Sequence, residues 1–135
     1  MLYEDITKKI LEACFEVSNE LSVGYLESVY EKALMVALSH KGISARRQIP
    51  LKVKFRDVIV GNFSVDMLVE EKVLIELKVA SSLSKEMYAQ TINYLKATGL
   101  EVGLLVNFGT PKIEYRRFDN RFGGESKNIL KTLLD

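Results

Sequence analysis

Two apolar runs, Phe63–Val69 and Val73–Val79, are separated by only Glu70, Glu71 and Lys72. So short a connection makes them an antiparallel hairpin. Strand side chains alternate between faces, so the register decides which residues meet. An odd-length loop keeps Phe63, Val65, Met67 and Val69 on one face with Val73, Ile75 and Leu77. It pairs Val69 with Val73, Met67 with Ile75 and Asp66 with Glu76. A slip of one residue would mix both faces, which a half-buried hairpin resists. Ser64, Asp66 and Leu68 then share the other face with Leu74, Glu76 and Lys78. Two carboxylates are expected side by side, with an amine two residues on.

Like charges facing each other across a ladder destabilise a sheet. At ~5 Å and an effective dielectric of ~20, two carboxylates repel by roughly 3 kcal/mol. Lys78 offsets part of that repulsion. A divalent cation would offset more, and hard oxygen donors at this separation suit Mg²⁺ or Mn²⁺. The competing reading is a solvated outer face on a two-stranded ribbon, where charged side chains are ordinary.

The chain has 135 residues, of which 47% are hydrophobic and 27% charged. That is enough for a single domain, expected over 1–135, to bury a core without staples. The lone Cys14 excludes a disulfide framework and a cysteine-based zinc site and fits a reducing cytoplasm. On the first helix it reads as a small apolar filler, and His40 is the sole histidine that could activate it. No apolar run reaches the ~20 residues of a membrane span, and the first residues lack the shape of a signal peptide. The net charge of +1 announces no polyanionic partner. Locally, however, Lys41, Arg46, Arg47, Lys52, Lys54 and Arg56 are interrupted by no acid. Such a stripe suits phosphate contacts, or equally a strand edge protected by lysines.

Helical period covers residues 4–21, with Ile6, Ile10, Cys14, Val17 and Leu21 in one stripe and Gly24 as the left-handed stop. A second helix spans about 26–41 and closes at Gly42. A strand over 48–55 sets Ile49, Leu51, Val53 and Phe55 against Lys52, Lys54 and Arg56. After the hairpin, Ser84 caps a helix over 85–98 that Gly99 ends. Residues 102–108 are continuously apolar, as in a strand covered on both faces. A final strand spans 112–118, and a short helix is expected over 126–134. The order is α-α-β-β-β-α-β-β. Three strands form a meander, and the 85–98 helix supplies a right-handed crossover to a strand parallel to the third. The fold class is α/β (α+β), a mixed sheet of about five strands flanked by helices.

Glu27 falls in the first turn of the second helix, where exposed amides favour a carboxylate. Tyr30, at i+3, shares its face. Gln90 and Tyr94 are i,i+4 neighbours on the helix that follows Glu76-Leu77-Lys78, and Gln90 is the polar intruder beside the stripe of Met87, Thr91, Tyr94 and Leu95.

Gly24-Tyr25-Leu26-Glu27-Ser28-Val29-Tyr30 reads G-x-x-E-x-x-Y, followed in order by Asp66, Glu76-Leu77-Lys78, Gln90-x-x-x-Tyr94 and Asn107-Phe108-Gly109. Together these resemble the GxxExxY family within the PD-(D/E)xK nuclease superfamily, over roughly residues 5–118, which leaves 119–135 as a C-terminal extension. The resemblance implies a restriction-endonuclease-like core, α-β-β-β-α-β, and a metal-dependent nuclease. Asp66 and Glu76, with the Leu77 carbonyl, would bind Mg²⁺ or Mn²⁺, and Glu27 would be an additional helix-borne acid. Lys78 would orient or activate the attacking water or stabilise the phosphorane charge. Gln90 would steady the site. Tyr94 would support it or touch the nucleic-acid backbone, and Tyr30 would touch nucleic acid, DNA ahead of RNA. Lys52 and Lys54, on the face expected to carry Asp66, would hold flanking phosphates, and a homodimer would enlarge the contact surface. The superfamily's Pro before the Asp is replaced by Val65. Members that bind without cutting leave a second reading, a nucleic-acid-binding or partner-docking domain that keeps the fold. A third is a structural module whose acidic hairpin is simply surface.

Overall fold

The computed structural model describes residues 1–120; the helix expected over 126–134 lies outside the described residues. The elements are α1 (Glu4–Leu21), α2 (Glu27–His40), β1 (Ala45–Phe55), β2 (Val58–Val69), β3 (Val73–Lys78), α3 (Lys85–Thr98), β4 (Val102–Asn107) and β5 (Glu114–Asp119). Their order is the one the sequence patterns indicate. β1 begins three residues earlier than expected, because Ala45, Arg46 and Arg47 continue the ladder opposite Val69, Leu68 and Met67.

The sheet runs β1-β2-β3-β4-β5. All neighbours are antiparallel except β3 and β4. Those two are joined through α3, as a parallel pair requires. This is a mixed, restriction-endonuclease-like sheet with helices on both faces. α1 and α2 cover one face, where Ile10, Cys14, Val17, Tyr30, Leu34 and Leu38 pack on Met67, Val69, Ile75, Leu77 and Val106. α3 covers the other, where Tyr94 and Leu95 meet Ile49, Leu51, Val65, Leu68 and Leu74. β3 and β4 lie between both layers, which is why their burial is almost continuous. No helix among the described residues is long and apolar enough to cross a membrane.

The caps follow residue chemistry. Ser84 accepts a hydrogen bond from the Met87 N–H at 3.3 Å, and Gly99 ends α3 at φ 76°. α1 instead ends at Ser22, φ 62°, two residues before the expected Gly24. At the β2–β3 turn Glu70 and Glu71 both adopt left-handed backbone, φ 53° and 56°. That geometry matches the right-handed twist of the flanking strands. Each carboxylate is tied down: Glu70 accepts from the Ser44 N–H and Glu71 pairs with Arg46.

The register is as expected, with Val69 opposite Val73 and Met67 opposite Ile75. The expected alternation of faces is not kept along all of β2. Val65 packs on the α3 side, whereas Met67 and Val69 pack against α1 and α2. β1 switches at the same level, since Arg47 reaches Glu31 of α2 while Ile49 lies on the α3 side. The cause is local. Gln48 is left-handed at φ 52°, and the Gln48/Asp66 position drops out of the ladder between the Arg47/Met67 and Ile49/Val65 pairs. Asp66 therefore stands where a two-stranded ribbon crosses from one layer to the other. Beyond it β1 and β2 continue as a long arm that β3 does not accompany.

Candidate functional site

The site is assembled from the end of β3, the switch point in β2, the start of α2 and one face of α3. Asp66 and Glu76 meet there by crossed hydrogen bonds. The Asp66 N–H donates to Glu76 Oε1 at 3.1 Å, and the Leu77 N–H donates to Asp66 Oδ2 at 2.7 Å. Each carboxylate thus takes over a place the backbone ladder has vacated. The same exchange locks both side chains beside one another and satisfies backbone donors that would otherwise be buried without a partner.

Both acids are removed from water, Asp66 at 9% and Glu76 at 3% exposure. Burial, followed by the charge of Asp66, pushes Glu76 up to about 9. Asp66 is also raised, chiefly by burial, although the Leu77 N–H works in the opposite direction. Lys78, half-buried at the end of β3, donates through Nζ to Gln90 Oε1 at 2.9 Å. Its charge reaches both carboxylates and Glu27 at longer range. Gln90 Nε2 donates in turn to the Tyr94 hydroxyl at 3.3 Å. Lys78, Gln90 and Tyr94 therefore form one relay that aims the amine. Glu27 occupies the first turn of α2, half-buried, and is raised by burial and then by the charge of Asp66.

Asp66, Glu76, Leu77, Lys78, Gln90, Tyr94 and Glu27 are thus brought to one region. Among the described residues, no three His, Cys, Asp or Glu side chains stand ready to hold a metal ion. What the chain offers is a buried carboxylate pair, with Glu27 further out. Two paired carboxylates with one amine as their neighbouring positive charge are hard donors short of cation, and that donor set fits Mg²⁺ or Mn²⁺.

Other residues lie elsewhere. Tyr30 is fully buried, stacked on Phe108 with centroids 5.1 Å apart. Its hydroxyl donates to the Ser22 carbonyl at 2.6 Å and accepts from the Tyr25 N–H at 3.2 Å. The expected nucleic-acid contact is therefore corrected: Tyr30 is a lock on the α1–α2 turn, with no surface to present to a strand. Lys52 and Lys54 are exposed on the ribbon arm, opposite Asn62 and Ile59. At ~3.3 Å per residue, the Lys52–Asn62 level lies roughly 13 Å along β2 from Asp66.

Glu31 and its partner Gln48 were not among the expected site residues, and Asn107 was expected only as part of the Asn107-Phe108-Gly109 motif, with no role. Glu31, 3% exposed, accepts from Arg47 Nε at 2.9 Å and from Gln48 Nε2 at 2.9 Å. This cluster, built on the buried Glu31, pins α2 to the switch point in β1, and the exposed Ser64 extends it by donating to Gln48 Oε1. The i,i+4 spacing of Glu27 and Glu31 was the available signal. Asn107, fully buried, binds both the N–H and the carbonyl of Ala80 at 3.0 Å, which staples the segment after Lys78 to the end of β4.

A mixed sheet with a carboxylate pair and a lysine on adjacent central strands defines a nuclease-like domain. The chain belongs to the PD-(D/E)XK nuclease superfamily, whose family model matches residues 4–118. Members of that superfamily are generally dependent on divalent metal and act on nucleic acid. Among solved structures, the crystal structure of SSO0001 is similar in fold, with a TM-score of 0.51 at 13% identity over 97% of this chain and 67% of that one. No curated protein matches the chain.

Proposed function

We propose that this domain hydrolyses phosphodiester bonds of nucleic acid, using Mg²⁺ or Mn²⁺, and that its G-x-x-E-x-x-Y segment marks it as a GxxExxY-type member of the superfamily. One observation carries the reading: two buried carboxylates cross-bonded at the end of β3, with Lys78 aimed by Gln90 beside them. When bound by Asp66, Glu76 and the Leu77 carbonyl, a divalent cation supplies Lewis acidity and a water of lowered pKa. The chain's residues do the rest. Asp66 and Glu76 fix the donor geometry in advance, because each is anchored to the other's strand. Lys78 holds positive charge where it develops on the phosphate in the transition state. Gln90 keeps that ammonium from collapsing onto the carboxylates, and Tyr94 keeps Gln90 in place. Glu27 acts from α2, directly or through water. Lys52 and Lys54 hold phosphates further along the strand, with DNA ahead of RNA, in a reducing cytoplasmic setting that suits the buried thiol of Cys14.

The test is cleavage of DNA and RNA panels by purified protein with Mg²⁺, Mn²⁺ or EDTA. Turnover by the wild type that is lost in Glu76→Ala and in Lys78→Ala is the expected result. Equal turnover in all three proteins would assign it to a contaminant and sink the proposal. The net charge of only +1 favours one rival, a nucleic-acid-binding or partner-docking domain that binds without cutting. That rival requires salt-dependent binding with no turnover in any metal.

A further inference from the structure

Between the ribbon arm and α3 lies a cleft of about 750 Å³, lined by Val53 and Phe63 from the arm and by Ala89, Gln90, Asn93 and Tyr94 from α3. Its volume is in the range of roughly 300–1,000 Å³ that small ligands occupy. Three features define what would fill it. First, the walls are apolar and aromatic. Phe63 is 47% exposed, and its ring lies 6.0 Å from that of Tyr94 at 51°, so the two rings form one tilted wall open to solvent. Second, the amides of Gln90 and Asn93 stand among these apolar groups, where they can pair with the edge of a planar heterocycle. Third, the cleft adjoins the carboxylate site through one residue, Gln90, which lines the cleft and accepts from Lys78 Nζ. Lys96 balances Glu86 among the charged lining residues.

We infer that the cleft takes an unpaired nucleobase next to the scissile phosphate, so that the substrate is single-stranded nucleic acid or an unpaired stretch within a duplex. This rests on the hydrolytic reading of the adjoining carboxylates. A base inside a duplex is stacked on both faces and paired along its edge, so it cannot enter between Phe63 and α3. An unpaired base can, and base–aromatic stacking accepts any sequence because every base has a π-face. The apolar wall, with Phe63 half exposed, is then the surface on which that base rests.

Fluorescence anisotropy in EDTA, with a labelled mixed-sequence DNA strand, the matching RNA strand and the DNA duplex, separates the outcomes. The single strands are expected to bind about tenfold or more tighter than the duplex, and the two strands compared show which sugar is preferred. Phe63→Ala and Phe63→Leu are expected to weaken single-strand binding by roughly fivefold to 150-fold, the range of one base–aromatic stack. Phe63→Trp is expected to restore it, and thermal melts establish that each variant is folded. Equal affinity for strand and duplex, or a Phe63→Leu variant that binds as wild type does, overturns the inference. So does a dimer that Phe63→Ala dissociates without altering strand preference, since a second copy would then occupy the cleft. Cleavage of strand and duplex alike, unaffected at Phe63, removes the inference and leaves the nuclease reading intact. Phe63-dependent strand binding without turnover in any metal does the reverse.

Discussion

Glu76 sits where an ionised carboxylate is least welcome, 3% exposed and bonded to the backbone of another acid's residue. Its pKa stands at about 9 against an ordinary 4.5, because burial and then the charge of Asp66 oppose ionisation. The folded state therefore holds this proton more tightly than the unfolded chain does. Stability is fully present below the unfolded value and is lost as pH rises toward the folded one. Metal-free protein is expected to melt at lower temperature at pH 8 than at pH 5, by up to about 1.4 kcal/mol per pH unit per proton. Glu76→Gln should flatten that slope and stabilise the protein at neutral pH while abolishing turnover. Parallel pH profiles for the two proteins would contradict the assignment. The carboxylate pair itself was legible from the odd length of the Glu70–Lys72 loop, because register follows from parity. Glu31 was not, since a charged helix residue reads as solvent-facing until a partner such as Arg47 is known.

At the level of elements, the α1–α2 turn is held by the Tyr30 hydroxyl between Ser22 and Tyr25. Tyr30→Phe removes that hydroxyl and should cost about 1 kcal/mol, a fall in Tm of roughly 4 °C, with strand affinity unchanged. Asn107→Ala should cost more, roughly 1–3 kcal/mol, because it leaves the Ala80 groups without partners. It should also lower turnover, since Ala80 lies just past Lys78; a variant as stable and as active as wild type would refute the staple. Helix ends at Ser84 and Gly99 were legible because a hydroxyl cap and a left-handed glycine each have a local physical cause. The switch of faces in β2 was hidden, because nothing in the residue type of Gln48 announces a left-handed conformation. It took the Glu31–Gln48–Ser64 contacts to reveal why the ribbon turns at Asp66.

For the molecule as a whole, near-neutral net charge places the burden of polyanion binding on local features. The six basic residues between Lys41 and Arg56 are partly committed: Lys41 pairs with Glu16, Arg46 with Glu71 and Arg47 with Glu31. Lys52 and Lys54 remain exposed on the arm. Replacing either by Ala should weaken binding of all sequences alike and lower the slope of log affinity against log salt by about one. An unchanged slope would remove them from the interface. The order of elements and the sheet topology followed from periodicity and turn chemistry. The cleft did not, because it arises between the arm, at Val53 and Phe63, and α3, which no local pattern connects.

The central claim is that Asp66 and Glu76 form a divalent-cation site. Anomalous diffraction from a crystal soaked in Mn²⁺ tests it directly. The expected result is a peak at about 2.1 Å from oxygens of both carboxylates, the distance of small hard cations from their ligands, and its loss in Glu76→Gln. A saturated crystal with no peak between them, or with manganese bound only at other surface acids, would contradict it.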